Sequence, residues 1–201
     1  GAVAKQVQKP RGITVSARIS MLGGVKDPSE SQIEDIVLSA KQAGDSVGGT
    51  IACAVEGMPA GLGAPDFGCN VEGIFSQYLF AVPAVKGVAF GAGFALASMR
   101  GSEANDPFYM DGDTVKTRTN HAGGVNGGIT NGMPITFEAV LRPTTSIYKE
   151  QDTVDLDTME DAKLIIHGRH DPCIVTRAVV VIEAAAALAS CEVLEGGRSP
   201  L

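Results

Sequence analysis

Pro134-Ile135-Thr136-Phe137-Glu138-Ala139-Val140-Leu141 alternates without a break: Ile135, Phe137, Ala139 and Leu141 take one side, Thr136, Glu138 and Val140 the other. A period of two is the pattern of a strand. Moving outward, Ile13-Thr14-Val15-Ser16-Ala17-Arg18-Ile19 has the same period, and Thr50–Val55 and Val85–Phe90 read as further strands. Helical spacing appears between them. Ile33, Ile36, Val37 and Ala40 form one apolar face behind a capping box of Ser29 with Gln32 or Ser31 with Glu34, with Gly44 as the stop. Phe75, Tyr78, Leu79 and Val82 form another such face. Val175–Leu194, rich in Ala and closed by Gly196 and Gly197, is the strongest helix. The elements do not follow the strand-helix-strand rhythm of a doubly wound sheet. The expectation is an α+β fold, with helices packed on a mainly antiparallel β-sheet.

Less regular stretches are read as follows. Gly57–Pro65 is loop, Phe94–Met99 fits either element, and residues 101–114 are polar surface loop. Val115–Thr119 enters a glycine run as a strand, Gln151–Asp161 is a solvated acidic connection, and Lys163–Ile166 is a last strand. The chain opens Gly1-Ala2-Val3-Ala4-Lys5-Gln6-Val7 in helical register with no capping residue, as if a helix were entered midway.

Composition narrows the function classes. The 201 residues suffice for one well-buried domain, or at most two small ones. A net charge of −7 argues against nucleic acid as the main partner, which requires a basic face. The longest apolar run, Ala178–Ala189, is broken by Glu183 and too short to span a bilayer. Cys53, Cys69, Cys173 and Cys191 are scattered, as in a reduced protein, and no stretch has the order of a signal peptide. A cytoplasmic protein is expected. Glycine, at 25 residues, well exceeds the usual share of about 7%.

Three segments carry candidate chemistry. Asn120-His121-Ala122-Gly123-Gly124-Val125-Asn126-Gly127-Gly128-Ile129-Thr130-Asn131-Gly132 leaves backbone N–H groups uncovered, so that a phosphate or flavin ring can approach; it equally suits a plain turn between strands. It matches neither a P-loop nor a dinucleotide fingerprint. Arg142-Pro143-Thr144-Thr145-Ser146 offers a guanidinium and three hydroxyls to a phosphate monoester, or is a strand exit with incidental hydroxyls. His167-Gly168-Arg169-His170-Asp171-Pro172-Cys173 admits a zinc site of His167, His170 and Cys173, with His121, although Gly168 and Pro172 break the regular spacing. It also admits Arg169 on an anion with Asp171 beside it as a base, or a structural Arg–Asp turn.

Taken in order, these segments resemble the chorismate synthase family. Gly57–Gly63 is similar to its GVPAGLGEP loop, Ala84–Val88 to AVKGVEIG, and Asn120–Gly124 with Gly127–Ile129 to NHAGGxxGGIS. Arg142–Ile147 resembles KPTSSI, and Gly168–Cys173 is the GRHDPC motif. The resemblance implies part of that family's β-α-β sandwich, with residues 1–201 as the C-terminal portion of one domain. It implies a lyase converting 5-enolpyruvylshikimate-3-phosphate to chorismate and phosphate by 1,4-anti-elimination, with reduced FMN as cofactor, in a homotetramer. FMN contacts would fall on Pro83, Ala84, Gly127, Arg142, Pro143, Thr144, Thr145, Ser146 and Arg169, and Asp171 would be catalytic, acting with the flavin as the substrate proton leaves; no metal is implied. Arg142 replaces the usual Lys, and Pro83 an Asn, which leaves only a backbone contact there. The family's two catalytic histidine segments, GESHG-like and RPSHAD-like, have no counterpart in these residues. The chain alone is therefore expected to be inactive; the alternative is a non-catalytic flavin- or phosphate-binding domain or degenerate paralogue.

Overall fold

The structure, a computed structural model, describes residues 1–196; Gly197, the second glycine expected to close the last helix, lies outside them. In chain order the elements are α1 (Ala2–Gln8), β1 (Thr14–Leu22), β2 (Val25–Lys26), α2 (Glu30–Gln42), β3 (Gly49–Glu56), α3 (Val71–Phe80) and β4 (Val85–Phe90). There follow α4 (Gly101–Ala104), β5 (Phe108–Asp111), β6 (Thr114–Thr117), β7 (Val125–Asn126), β8 (Ile129–Thr130), β9 (Ile135–Leu141), β10 (Gln151–Asp155), β11 (Glu160–Leu164) and α5 (Val175–Gly196). Phe94–Met99, which fitted either element, falls in a 3₁₀ turn, Gly93–Ser98, except for Met99.

The main sheet runs β2-β1-β3-β9-β4 with every neighbouring pair antiparallel, so the α+β expectation holds. Strand β9 sits between β3 and β4, pairing Leu141 with both Gly49 and Val85 at one end and Ile135 with Val55 at the other. Its alternation is realised in full: Ile135, Phe137, Ala139 and Leu141 are buried, whereas Glu138 and Val140 are exposed. The buried face meets Phe75 of α3, whose ring lies 6.0 Å from that of Phe137, edge to face. Helix α5 packs against β1, β3, α1 and α3. Its buried Ala178, Ala185, Ala186, Ala187 and Ala189 carry no long side chain, which lets a 22-residue helix lie close to its neighbours. Each fully buried large side chain here contributes about 1.5–3 kcal/mol.

Helix α2 starts at the first of the two capping boxes: the Ser29 hydroxyl accepts the Gln32 amide and the Gln32 side chain accepts the Ser29 amide. The four cysteines are free. Burial pushes the Cys53 thiol up to about 12, which makes it a core side chain rather than a nucleophile. Among the described residues no helix is long and apolar enough to cross a membrane.

Two sequence expectations need correction. Residues 101–114 are not plain loop: they contain α4 and the start of the β5–β6 hairpin, in which Asp111 pairs with Thr114 around Gly112 at φ +61°. The Gly-Asp pair of such a turn, Gly112-Asp113, was present in the sequence. Gln151–Asp161 is solvated but not a simple connection, because it forms most of a second hairpin, β10–β11. Here charge hid the strand pattern, since neither face of the hairpin is buried. The expected last strand accordingly begins at Glu160 and ends at Leu164, before Ile166.

Candidate cofactor and active site

Strand β9 delivers the chain into Arg142–Ile147 at the C-terminal end. The Arg142 amide donates to the Ala84 carbonyl at 3.0 Å, which places Pro83 and Ala84 beside the start of this loop. Ala84 holds φ +73°, a left-handed conformation that costs a residue with a Cβ about 1–2 kcal/mol. The loop is then fastened to the connection between α2 and β3. The Ser46 hydroxyl donates to the Thr144 carbonyl at 2.5 Å, and the Tyr148 amide donates to Gly44 at 3.0 Å. Lys149 pairs with Asp45 at 2.6 Å, and this bond with the Ser46 amide holds the Asp45 carboxyl below the usual carboxylate range.

What that loop leaves unused matters for binding. The amides of Thr144, Thr145, Ser146 and Ile147 donate to no acceptor among the described residues. The Thr144 hydroxyl is buried and has no hydrogen-bond partner among the described residues. Successive free N–H groups and an unpartnered hydroxyl, with the exposed Arg142 at the start of the loop, are a donor set suited to an anion. A flavin phosphate fits this donor set.

The same connection reaches the third segment, where the Val47 amide donates to the Pro172 carbonyl at 2.9 Å. Asp171 accepts the Cys173 amide on Oδ1 at 3.1 Å and is ion-paired through Oδ2 with Arg177, in the first turns of α5. This corrects the expectation that Arg169 stands beside Asp171: the partner is Arg177, brought round by the turn of α5, and Arg169 is exposed. Lys41, Tyr148, Arg169, Asp171, Thr176 and Arg177 line a cleft of about 680 Å³, within the range of small-molecule sites. The His170 ring packs edge-on to Tyr148 at 4.7 Å with Nε2 on the Ile166 carbonyl, and the Tyr148 hydroxyl donates to the Gly168 carbonyl. That nitrogen is thereby occupied, and Cys173 is buried. Among the described residues no three His, Cys, Asp or Glu side chains are grouped to hold a metal ion, so nothing gathers His167, His170 and Cys173 into a zinc site.

The glycine run lies elsewhere, at the N-terminal end of β9. The Thr136 amide donates to Gly123, the Gly91 amide to Thr136, and the Ala92 amide to His121. Gly127 and Gly128 make the two-residue turn of the β7–β8 hairpin at φ +59° and +83°. The Gly128 carbonyl takes the Val71 amide at the start of α3, while Pro83 and Ala84 follow that helix's far end. Strand β9, seven residues at about 3.4 Å each and so roughly 24 Å long, runs from the glycine run to Arg142. The structure sets Ala84 against Arg142, ties Thr144 through Ser46 and Val47 to the turn that carries Asp171, and places Arg169 and Asp171 on one cleft, while Gly127 lies toward the other end of β9.

Two groups that sequence reasoning missed shape these ends. Asp106 accepts the amides of His121 and Ala122, each at 2.8 Å, and the Thr119 hydroxyl at 2.7 Å. Burial of its side chain opposes ionisation, but these donors, with His121 nearby, outweigh it and hold the carboxyl below the usual range. Part of the N–H array expected for a ligand is therefore filled by the protein's own carboxylate. Ser46 is the other. The cluster Gly44-Asp45-Ser46-Val47-Gly48 was a visible signal, a polar pair between turn glycines.

The family model described as "Chorismate synthase" matches residues 1–194. The chain is 41% identical over 206 residues to the chorismate synthase of Dehalococcoides mccartyi, an alignment covering 92% of this chain and 56% of that one. It is 47% identical over 189 residues to that of Chitinophaga pinensis, with 94% and 54% covered. A solved structure titled "Crystal Structure of Chorismate Synthase" superposes with TM-score 0.79 at 22% identity, covering 96% of this chain and 60% of that one, and so shares the fold. The chain spans about half the length of the curated relatives it matches. On its sequence across nearly all of its length, and with the fold in agreement, the chain belongs to the chorismate synthase family.

Proposed function

We propose that this chain carries the FMN-phosphate cradle and one wall of the substrate cleft of a chorismate synthase, a lyase that eliminates phosphate from 5-enolpyruvylshikimate-3-phosphate to give chorismate. The single observation that carries the reading is the Arg142–Ile147 loop, with its free amides and the partnerless Thr144 hydroxyl, tied through residues 44–48 to Asp171. In the reaction a C–O bond to phosphate breaks, a proton leaves the ring and a double bond forms, without net redox change. Reduced FMN, when bound, supplies an electron-rich ring next to the substrate, which no side chain here can replace. Arg142, Thr144, Thr145 and Ser146 hold its phosphate, Pro83 and Ala84 give backbone contacts, and Arg169 takes an anionic group of cofactor or substrate. Asp171 is oriented by the Cys173 amide and Arg177 and offers its remaining lone pairs to the cleft as a proton acceptor. Gly127, where an added Cβ would meet nothing within 4 Å, stays open to a ligand at its own end of β9. The assembly is a cytoplasmic homotetramer, as the family resemblance implies.

Because these residues contain no counterpart of the two histidine segments, the 201-residue polypeptide is expected to bind FMN without forming chorismate. The test is a fluorescence titration with FMN together with an assay for chorismate from 5-enolpyruvylshikimate-3-phosphate under reducing conditions. Saturable FMN binding without turnover is the expected result. No FMN binding would overturn the cradle assignment, and chorismate at an ordinary enzymatic rate would overturn the assignment of essential proton chemistry to the histidine segments.

A further inference from the structure

Ser46 stands outside every segment assigned to ligand, yet it contacts the centre of the hydroxyl loop. Its hydroxyl donates to the Thr144 carbonyl at 2.5 Å across 98 residues of sequence. Ser46 is itself fixed on both sides. Its amide donates to Asp45 Oδ1 at 2.8 Å, and the next amide, of Val47, donates to Pro172 at 2.9 Å. At Gly48 a Cβ would stand 2.6 Å from the Leu141 carbonyl oxygen and 2.9 Å from Pro143 Cδ, so this connection lies directly against the entry to the loop.

A trans peptide group is planar, with its C=O and N–H pointing in opposite directions. Holding the Thr144 carbonyl toward Ser46 therefore turns the Thr145 N–H away from Ser46, among the amides that have no acceptor within the described residues. Without that bond the Thr144–Thr145 peptide can rotate, and the free donors lose their common direction. Preorganised donors are what an anion site of this kind depends on.

We propose that Ser46 is a positioning residue for the anion held by Arg142–Ser146, acting through the Thr144 carbonyl and never touching the ligand. The proposal rests on the reading of that loop as a phosphate cradle, but not on the phosphate being that of a flavin.

The test uses the 201-residue polypeptide, with inorganic phosphate and FMN as separate probes and the Thr145 and Ser146 amide signals as the NMR readout. Ser46→Ala is expected to weaken binding of the probe about five- to tenfold, the loss of one hydrogen bond's worth of orientation, with the thermal midpoint lowered by no more than about 2–4 °C. Ser46→Thr, which keeps the hydroxyl, is expected to restore affinity to within about twofold of the original. Ser46→Ala binding as tightly as the original protein overturns the proposal and leaves the flavin reading intact. A loss of affinity that Ser46→Thr does not restore also overturns it, since bulk rather than the hydroxyl would then matter. Phosphate bound with FMN refused removes the flavin and leaves the role of Ser46 to be read from phosphate. Neither probe bound by the original protein overturns both.

Discussion

The two ends of strand β9 are built in opposite ways. At its N-terminal end the backbone is rich in left-handed glycines, and the protein itself fills the space they open. A Cβ on Gly91 would lie 2.1 Å from the His121 oxygen, one on Gly124 2.4 Å from the Pro134 oxygen, and one on Gly128 2.6 Å from the Ala64 oxygen. The His121 and Ala122 amides end on Asp106. At the C-terminal end, Arg142–Ile147 contains no glycine, yet the amides of Thr144–Ile147 and the Thr144 hydroxyl are without partners among the described residues. Glycine content reports that something approaches the backbone closely, not whether that something is a ligand. Capacity for a ligand is better read from donors left over once the protein's own bonds are made.

The sharpest way to break this comparison is a pair of neighbouring glycines. Gly127 and Gly128 both have positive φ, but only Gly128 is crowded, with Ala64 oxygen at 2.6 Å and Asn70 Cβ at 2.7 Å from the added carbon. Gly128→Ala is expected to lose at least about 3 kcal/mol of unfolding free energy, from overlap added to backbone strain. Gly127→Ala, with open space around it, should lose only the backbone part, about 1–2 kcal/mol. Urea denaturation of both variants measures the difference. Equal losses would mean that turn conformation alone requires the glycines and that close packing contributes nothing.

Asp106 tests the same end by charge. Its side chain is 3% exposed and accepts from two amides and a hydroxyl, so Asp106→Ala should cost about 2–4 kcal/mol. Because the folded-state pKa lies below the ordinary 3.8, this carboxylate's contribution is fully present above 3.8 and disappears as pH falls through the folded value. Asp106→Asn should therefore show a shallower decline of stability between about pH 4 and 2 than the original protein. An unchanged acid slope would show that the donors are satisfied equally well by a neutral group.

How much of this was legible in the sequence follows from where each signal originates. The alternation of Ile135–Leu141 survived intact because one face of β9 is buried, and burial is what writes a period of two into a strand. The β10–β11 hairpin was missed because it buries almost nothing, so Asp152, Asp155, Glu160 and Asp161 carry no such record. The residue types of the site were readable, since hydroxyls after an arginine and an aspartate in a tight turn suggest their chemistry locally. Their partners were not. Arg177 meets Asp171 only because α5 starts at Val175 and turns Arg177 back toward the segment before it, and Ser46 meets Thr144 only because β3 and β9 are neighbours. Contacts of that kind depend on register and topology, which one sequence does not state.

Thr144 gives the smallest expected change in stability and the most direct test of the other end. Its hydroxyl is buried without a partner, and leaving it so costs about 1 kcal/mol or more in the free protein. Removing the hydroxyl relieves that cost, while removing the methyl forfeits about 0.8 kcal/mol of apolar burial. The two nearly cancel, so Thr144→Ala should leave the urea midpoint almost where it was. FMN affinity should nonetheless fall about tenfold, because the bound phosphate is what the hydroxyl is free to meet. The opposite outcome, a stability loss above about 2 kcal/mol with FMN binding unaltered, would mean that the hydroxyl has a protein partner in solution. The C-terminal end of β9 would then be as fully self-satisfied as the N-terminal end, and the contrast between them would fail.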